Sequence, residues 1–304
     1  MSIKKKKLLI LIPAFNEAET IKKTVLEIKA KFQSIENLGI KPEILVIDDG
    51  STDETSSIAK KAGADKVIEN GRNIKLGATV WRGLVYARNA GYDILIKIDA
   101  DLQHDPSDLV SVIKPIEEGH ANIVYGSRFE LISYKMPVIR RIGNKIFTGL
   151  MNLLTNWNIS DSQPGIFAVD KYYLQVAFLP GNYNYTQQLL LDGYHKGMMF
   201  SQVPVKFRKR AKGTSFVSLS YPFRVLPQIL MVLVSIRPLS IFGPIAVLFI
   251  GLATADFLIE IMIWFFGNSN KPVNNVNFVL GTGLVGMQAL FFGLLSELIV
   301  RLKK

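Results

Sequence analysis

Two carboxylates one residue apart, Asp99 and Asp101, close an apolar run at residues 94–98, and Gln103 and His104 follow at once. The run is rich in isoleucine, as a strand covered on both faces requires. Ligands of open α/β sheets sit beyond the carboxyl ends of the strands. A strand ending in paired carboxylates can therefore offer both to one cleft. Hard oxygen donors placed there suit a divalent cation that carries a phosphate-bearing substrate. Asp-x-Asp is also common in solvated loops, so the tripeptide by itself leaves both readings open.

The elements around it decide between them. Residues 8–12 read as a first strand, followed by the turn Pro13-Ala14-Phe15-Asn16-Glu17. Asn16 is placed to cap a helix from about Glu17, whose apolar positions Ile21, Val25 and Ile28 keep helical spacing. Residues 43–47 form a second strand that ends in Asp48-Asp49-Gly50-Ser51-Thr52-Asp53, a turn with capping residues for a helix over 54–61. A short strand at 66–68, a helix at 77–89, the strand at 94–98, a helix at 107–118 and a strand at 123–125 follow. Strand–helix alternation at this spacing means βαβ units and a mostly parallel sheet. Each sheet strand then ends in a polar cluster: Asn16-Glu17, Asp48-Asp49, Asp99-Asp101, and Arg128 after Gly126-Ser127. Four clusters on one sheet edge favour a nucleotide- or phosphate-binding cleft over four separate turns.

Cations are spread along the rest. Residues 136–156 form an amphipathic basic helix with Arg140, Arg141 and Lys145 among its apolar positions. It reads either as an ordinary surface helix or as one at a membrane face whose cations meet phosphate. The polar turn 161–165 precedes an apolar strand at 166–169, a helix covers 183–196, and a strand covers 203–207. That last strand leads into Arg208-Lys209-Arg210-Ala211-Lys212-Gly213-Thr214-Ser215. Four cations around a Gly-Thr-Ser turn suit a loop closing over phosphates; a solvated basic loop is the plainer alternative.

The 304 residues carry a net charge of +11, which asks for an anionic partner: nucleic acid, an acidic membrane surface or a phosphorylated substrate. Cysteine is absent, which excludes disulfides and thiolate metal sites. The N-terminal lysines precede too short an apolar run for a signal peptide, so residues 8–12 remain a strand. A mean hydropathy of +0.24 is concentrated in the C-terminal third. Residues 219–238 read as an interfacial juxtamembrane helix, and 239–266 and 278–300 are each long enough to cross a bilayer. Arg224, Arg237, Arg301, Lys303 and Lys304 outweigh Lys271 in the connector, which predicts both termini and residues 1–218 on the cytoplasmic side. Asp256 and Glu260 lie four apart on one face of the first span. Gln288 or a second copy, in a homo-oligomer joined through these helices, could satisfy them. Gly281-Thr282-Gly283-Leu284-Val285-Gly286 matches the dinucleotide fingerprint but sits inside an apolar segment, where small residues let helices approach.

Taken together, Ile12-Pro13-Ala14-Phe15-Asn16-Glu17, Val46-Ile47-Asp48-Asp49-Gly50-Ser51-Thr52-Asp53, Asp99-Ala100-Asp101-Leu102-Gln103-His104, Gly126-Ser127-Arg128, Asp161 with Gly165-Ile166-Phe167-Ala168, and Arg210-Ala211-Lys212-Gly213-Thr214-Ser215 resemble a family-2 glycosyltransferase. The resemblance is narrower still to the polyprenyl-phosphate branch, which includes dolichyl-phosphate mannose synthase and bacterial glucosyl relatives. It implies an α/β, GT-A (Rossmann-like) domain followed by interfacial helices and a two-helix transmembrane hairpin. It implies a multi-pass membrane enzyme that transfers one sugar, with inversion, from a nucleotide-sugar of GDP-mannose or UDP-glucose type to polyprenyl or dolichyl phosphate.

The same resemblance implies residue roles. Pro13, Phe15, Glu17, Ile47 and Asp49 would hold base and ribose. Asp99, Asp101 and Gln103 would hold Mg²⁺ or Mn²⁺ on the donor diphosphate, near the backbone of Ala100. Arg128 and Arg140 would meet the lipid phosphate, Arg210 would bridge both anions, and Asp161 would orient the acceptor or assist as base. Nucleic acid is not an expected partner. Two departures stand out: Phe15 replaces a common tyrosine, and Phe216 a common lysine, whose phosphate contact Lys212 or Arg208 could supply. The competing readings are transfer to another lipid or glycan acceptor, and a silent sugar-nucleotide-binding scaffold.

Overall fold

The computed structural model describes residues 5–132, 138–179, 184–208, 234, 238–267 and 269–302, with the side chains of all these except 132, 138–140, 301 and 302. The chain forms two compact units, Met1–Gln228 and Ile229–Lys304.

In the first unit, β1 (Lys6–Ala14), β2 (Ile40–Asp48), β3 (Lys66–Glu69), β4 (Ile94–Lys97), β5 (Ile123–Ile132), β6 (Phe167–Asp170) and β7 (Phe200–Phe207) form one sheet. Its order is β3-β2-β1-β4-β6-β5-β7. β3, β2, β1 and β4 are parallel, as are β5 and β7, while β6 runs antiparallel to both of its neighbours. The sheet is therefore mostly parallel, as the strand–helix alternation predicts. The reversal of β6 was not legible in its four residues. It matters for the site: the start of β6 lies at the edge where β4 ends, with Phe167 paired to Lys97.

Residues Leu8 to Ile12 are all buried, which is what two-sided cover demands. Leu8, Ile10 and Ile12 pack with Ile21, Val25 and Ile28 of α1 (Ile21–Lys29) and with Leu109, Val112 and Ile113 of α5 (Leu109–Glu117). On the other face, Gly83 of α4 (Leu76–Asn89) lies so close to Leu11 that a Cβ would collide with it. Each such aliphatic side chain contributes about 1.5–3 kcal/mol on burial. The helices α2 (Phe32–Glu36), α3 (Thr55–Lys61), α6 (Val138–Thr155), α7 (Lys171–Val176) and α8 (Tyr185–His195) complete the unit.

Two expectations are corrected here. Asn16 caps no helix: its φ is 55°, α1 begins at Ile21, and its Oδ1 accepts from the Thr52 amide at 2.8 Å. Arg128 does not follow its strand but lies within β5, at the irregularity between Ser127 and Leu131 in the pairing with β7.

The second unit holds two long apolar helices, Leu239–Phe265 and Val276–Leu302. Both are long and apolar enough to cross a membrane. They approach each other at two glycines of that fingerprint, Gly283 and Gly286. A Cβ on Gly286 would sit 2.7 Å from Ile250 Cγ1 and 2.8 Å from its backbone nitrogen, and one on Gly283 would touch Ala253. Glu260 is buried and is satisfied by the connector rather than by Gln288: its carboxylate accepts from the amides of Asn274 at 2.6 Å and Asn275 at 3.0 Å. The interfacial helix over 219–238 lies outside the described residues, apart from residues 234 and 238.

Candidate active site

Three loops meet along the carboxyl edge of the sheet. The first two come from β1 and β2, which run in register so that Pro13 pairs with Ile47 and Ala14 with Asp48. The turn after β1 is tied to the turn after β2 by Asn16 N–Ser51 Oγ at 2.9 Å, Glu17 N–Thr55 Oγ1 at 2.8 Å and Ala18 N–Asp53 Oδ2 at 3.1 Å. Pro13 and Ile47 are buried, and Phe15 and Glu17 are half-buried. Asp49 is buried and engaged on both oxygens. It accepts from Asn70 Nδ2 at 2.8 Å and from the amides of Ile74 at 2.9 Å and Lys75 at 3.0 Å. It therefore folds the 70–75 segment down onto this edge, a function that its place after strand two did not reveal.

The third loop carries Asp99-x-Asp101. Leu102 takes a φ of 61°, and the turn closes with the Gln103 amide donating to Asp101 Oδ1 at 3.1 Å. β7 pins the far side: the Arg208 amide donates to Gln103 O at 2.7 Å and Gln103 Nε2 to Arg208 O at 3.3 Å. Arg208, the first cation of the basic segment, is held by Asp105 Oδ2 at 2.5 Å and Glu27 at 3.4 Å. Burial favours the neutral form of Asp105, but the Ser107 amide and hydroxyl and Arg208 outweigh it and hold its pKa down at about 2. Arg208 is thus an anchor of this loop.

Because β6 runs antiparallel, residues 161–166 enter at the same edge. Asp161 is fully buried and forms a two-pronged pair with Arg128, Nε to Oδ2 at 2.7 Å and the second guanidinium nitrogen to Oδ1 at 3.0 Å. Asn144 Nδ2 at 2.9 Å and the Gln163 amide at 3.0 Å also donate to Oδ1. Burial would raise the carboxyl pKa, but Arg128 and these donors win and lower it. An acid so stabilised as its anion is a poor proton acceptor and a good orienter of Arg128. Arg128 also lies over the rings of Phe207 at 5.3 Å and Phe129 at 6.0 Å.

Two residues with no assigned role in the sequence belong here. Asn144 is the inward end of a buried α6 face that continues through Phe147, Thr148, Met151 and Thr155; its polar spacing was readable once the helix was assigned. Lys97 is the sole charge in β4, is fully buried, and donates to Asp99 Oδ1 and to Gly165 O at 2.9 Å. Gly165 approaches so closely that a Cβ would collide with Asp99 Oδ2 and His104 Nε2. His104 is buried, neither ring nitrogen has a hydrogen-bond partner among the described residues, and burial above all, helped by Arg128 and Lys97, lowers its pKa to about 3. Two carboxylates and a carboxamide are oxygen donors of the kind that Mg²⁺ or Mn²⁺ takes. Arg210 and the side chain of Arg140 lie outside the described residues.

With this geometry, residues 9–178 match the sequence profile of glycosyl transferase family 2. The chain belongs to that family. This family-2 glycosyltransferase is 29% identical over 218 residues to a UDP-N-acetylglucosamine–dolichyl-phosphate N-acetylglucosaminyltransferase of Methanococcus voltae, covering 65% of this chain and 84% of that one. It is 30% identical over 217 residues to a dolichol-phosphate mannosyltransferase of Pyrococcus furiosus, covering 69% and 58%. Glucosyl-3-phosphoglycerate synthase of Mycobacterium tuberculosis, solved with Mn²⁺, UDP and phosphoglyceric acid, superposes with a TM-score of 0.59 at 20% identity over 76% of this chain and 78% of that one. The glycosyltransferase thus has the GT-A fold, and its relatives place it with enzymes named for polyprenyl phosphates.

Proposed function

We propose that this glycosyltransferase moves one sugar from a nucleotide-sugar, of GDP-mannose or UDP-glucose type, to the phosphate of a polyprenyl or dolichyl phosphate. The observation that carries the reading is the meeting of two anion-binding devices on one sheet edge. Asp99-x-Asp101 with Gln103 provides for a metal-bound diphosphate. Arg128, fixed by Asp161, provides a cation aligned for a second anion. Glycan acceptors with neutral hydroxyls have no use for the second device, and a silent scaffold has no use for both.

The chemistry follows from these residues. A phosphate monoester is largely ionised at neutral pH, so attack on the anomeric carbon needs no strong general base. Asp161, with its lowered pKa, serves by aligning Arg128. Pro13, Phe15, Glu17 and Ile47 enclose base and ribose, and Asp49 shapes that pocket through the segment it folds. Asp99, Asp101 and Gln103 would hold Mg²⁺ or Mn²⁺, which when bound would neutralise charge on the leaving diphosphate. Arg140 adds a contact to the lipid phosphate and Arg210 one to both anions. Positioning two anions against their repulsion is the main task, and in-line attack inverts the anomeric centre. We assign 1–218 to catalysis, 219–238 to the membrane interface and 239–304 to a hairpin anchor, with the termini cytoplasmic.

Asp101→Ala tests the assignment. Transfer is expected to vanish while circular dichroism and thermal unfolding stay at wild type. Full transfer by that variant would remove the metal role.

A further inference from the structure

Successive residues of β7 alternate between two faces. Val203 and Val205 pack toward the core, which leaves Phe200 and Gln202 on the other face. Residues 157–161, on the way to β6, cross that other face at two points. Trp157 stacks on Phe200, with centroids 4.8 Å apart and planes at 13°. Two residues along the strand, the half-buried Gln202 takes the backbone of Ser160 and Asp161. Its Oε1 accepts from the Ser160 amide at 2.6 Å, and its Nε2 donates to Asp161 O at 2.7 Å. An amide N–H only donates and a carbonyl only accepts, so these partners hold the carboxamide one way round.

The same side chain reaches toward Arg128. Ser160 Oγ lies 2.9 Å from Gln202 Oε1 and 2.9 Å from Ser127 Oγ. The carboxamide oxygen can only accept, so Ser160 gives its proton there and Ser127 gives its own to Ser160. Ser127 precedes Arg128, and Ser160 precedes Asp161. The residues before both members of the ion pair are therefore joined, and Gln202 fixes the joint to the sheet. Arg128, Asn144 and Gln163 orient the carboxylate of Asp161. Gln202 acts on its backbone.

We propose that Gln202 is a positioning residue for the acceptor half of the site. It sets the backbone of Asp161 and, through Ser160 and Ser127, that of Arg128, so that the guanidinium meets the acceptor phosphate in one place. This rests on the lipid-phosphate reading above. The Asp99-x-Asp101 loop has separate anchors, at Arg208 and Lys97, so the effect of Gln202 falls on one substrate. Truncation at 202 should leave the fold in place. Asn152 holds Ile159 in the same manner, Nδ2 to Ile159 O at 3.0 Å and the Ile159 amide to Oδ1 at 2.7 Å, and Trp157 keeps its stack.

The test is steady-state transfer by the full chain in detergent, with polyprenyl phosphate and the GDP- or UDP-sugar that wild type uses varied in turn. Gln202→Ala should raise the KM for polyprenyl phosphate about tenfold, as loss of two ordinary hydrogen bonds implies, and leave the KM for the nucleotide-sugar within about twofold. Gln202→Glu keeps the size and the acceptor but sets an anion against Asp161 O, and should raise the same constant at least as far. Ser160→Ala removes only the link to Ser127. It should give a smaller rise in the same constant, and it serves if the variants at 202 do not fold. A double-mutant cycle shows whether the effect runs through the guanidinium. The ammonium of Arg128→Lys cannot make the two-pronged pair, so Gln202→Ala should add little in that background. Folded variants with the wild-type KM for polyprenyl phosphate, equal rises for both substrates, or an undiminished Gln202 effect beside Arg128→Lys would each overturn the assignment. A wild-type protein that transfers sugar to another acceptor but not to polyprenyl phosphate would instead overturn the reading on which it rests.

Discussion

Asp161 and Glu260 are both buried carboxylates, at 0% and 5% exposure, and the molecule treats them differently. Asp161 is paired with a guanidinium that remains partly exposed at a sheet edge, and its remaining donors come from a helix and its own loop. Glu260, in an apolar helix, accepts from the backbone amides that open the next helix. The first arrangement holds a cation in one orientation where anions would bind. The second caps a helix start and closes a hairpin. Glu260 is therefore a folding device, and the difference lies in the partner: a side-chain cation for Asp161, backbone amides for Glu260.

That contrast can be broken most forcefully at the pair. Asp161→Ala leaves Arg128 and Asn144 without their acceptor, so stability should fall by about 3–5 kcal/mol. Transfer by the protein that remains folded should drop about a hundredfold from the lost alignment of Arg128. Transfer per folded molecule at the wild-type level would show that the pair is only structural. Gly165→Ala presses a methyl into Asp99 and His104. It should cost about 1–3 kcal/mol by overpacking and weaken Mn²⁺ affinity as well; unchanged affinity would separate Gly165 from the site.

The hairpin should respond in stability only. Glu260→Gln should lower the thermal midpoint by the equivalent of about 1–3 kcal/mol, from weaker acceptance of the connector amides, with transfer per folded molecule unchanged. Reduced transfer at full folding would give Glu260 a role beyond the turn. Gly286→Ala should destabilise the hairpin, because a Cβ there meets the backbone of the facing helix, whereas Gly281→Ala, with nothing within 4 Å, should not. A further effect concerns acid. His104 is held neutral in the fold, with its pKa lowered from 6.5 to about 3. The unfolded chain therefore binds the extra proton between those values, and stability should fall as pH drops below about 6.5. His104→Phe should flatten that slope in thermal melts; an unchanged slope would assign it to other groups.

Much of this was legible in the residues. The Asp99-x-Asp101 strand end, the parallel alternation and the two long apolar helices all rest on local periodicity and turn chemistry, which act over a few residues. What escaped depends on contacts far apart in the chain. The reversal of β6, which brings Asp161 beside Arg128, is a property of strand pairing. The capture of Asp49 by the 70–75 segment and of Asp99 by Lys97 follows from which side chains are buried together. Asn16 misled because a left-handed turn bonded to Thr52 uses the same residue type as a helix cap.

Transfer to a lipid phosphate is open to a single assay. Membranes containing the full chain are given polyprenyl phosphate or the corresponding polyprenol, with a panel of labelled GDP- and UDP-sugars, with and without EDTA. Label is expected in the organic phase from one donor, with polyprenyl phosphate only, and is expected to be lost with EDTA. Equal labelling of the polyprenol, or full transfer in EDTA, would contradict it.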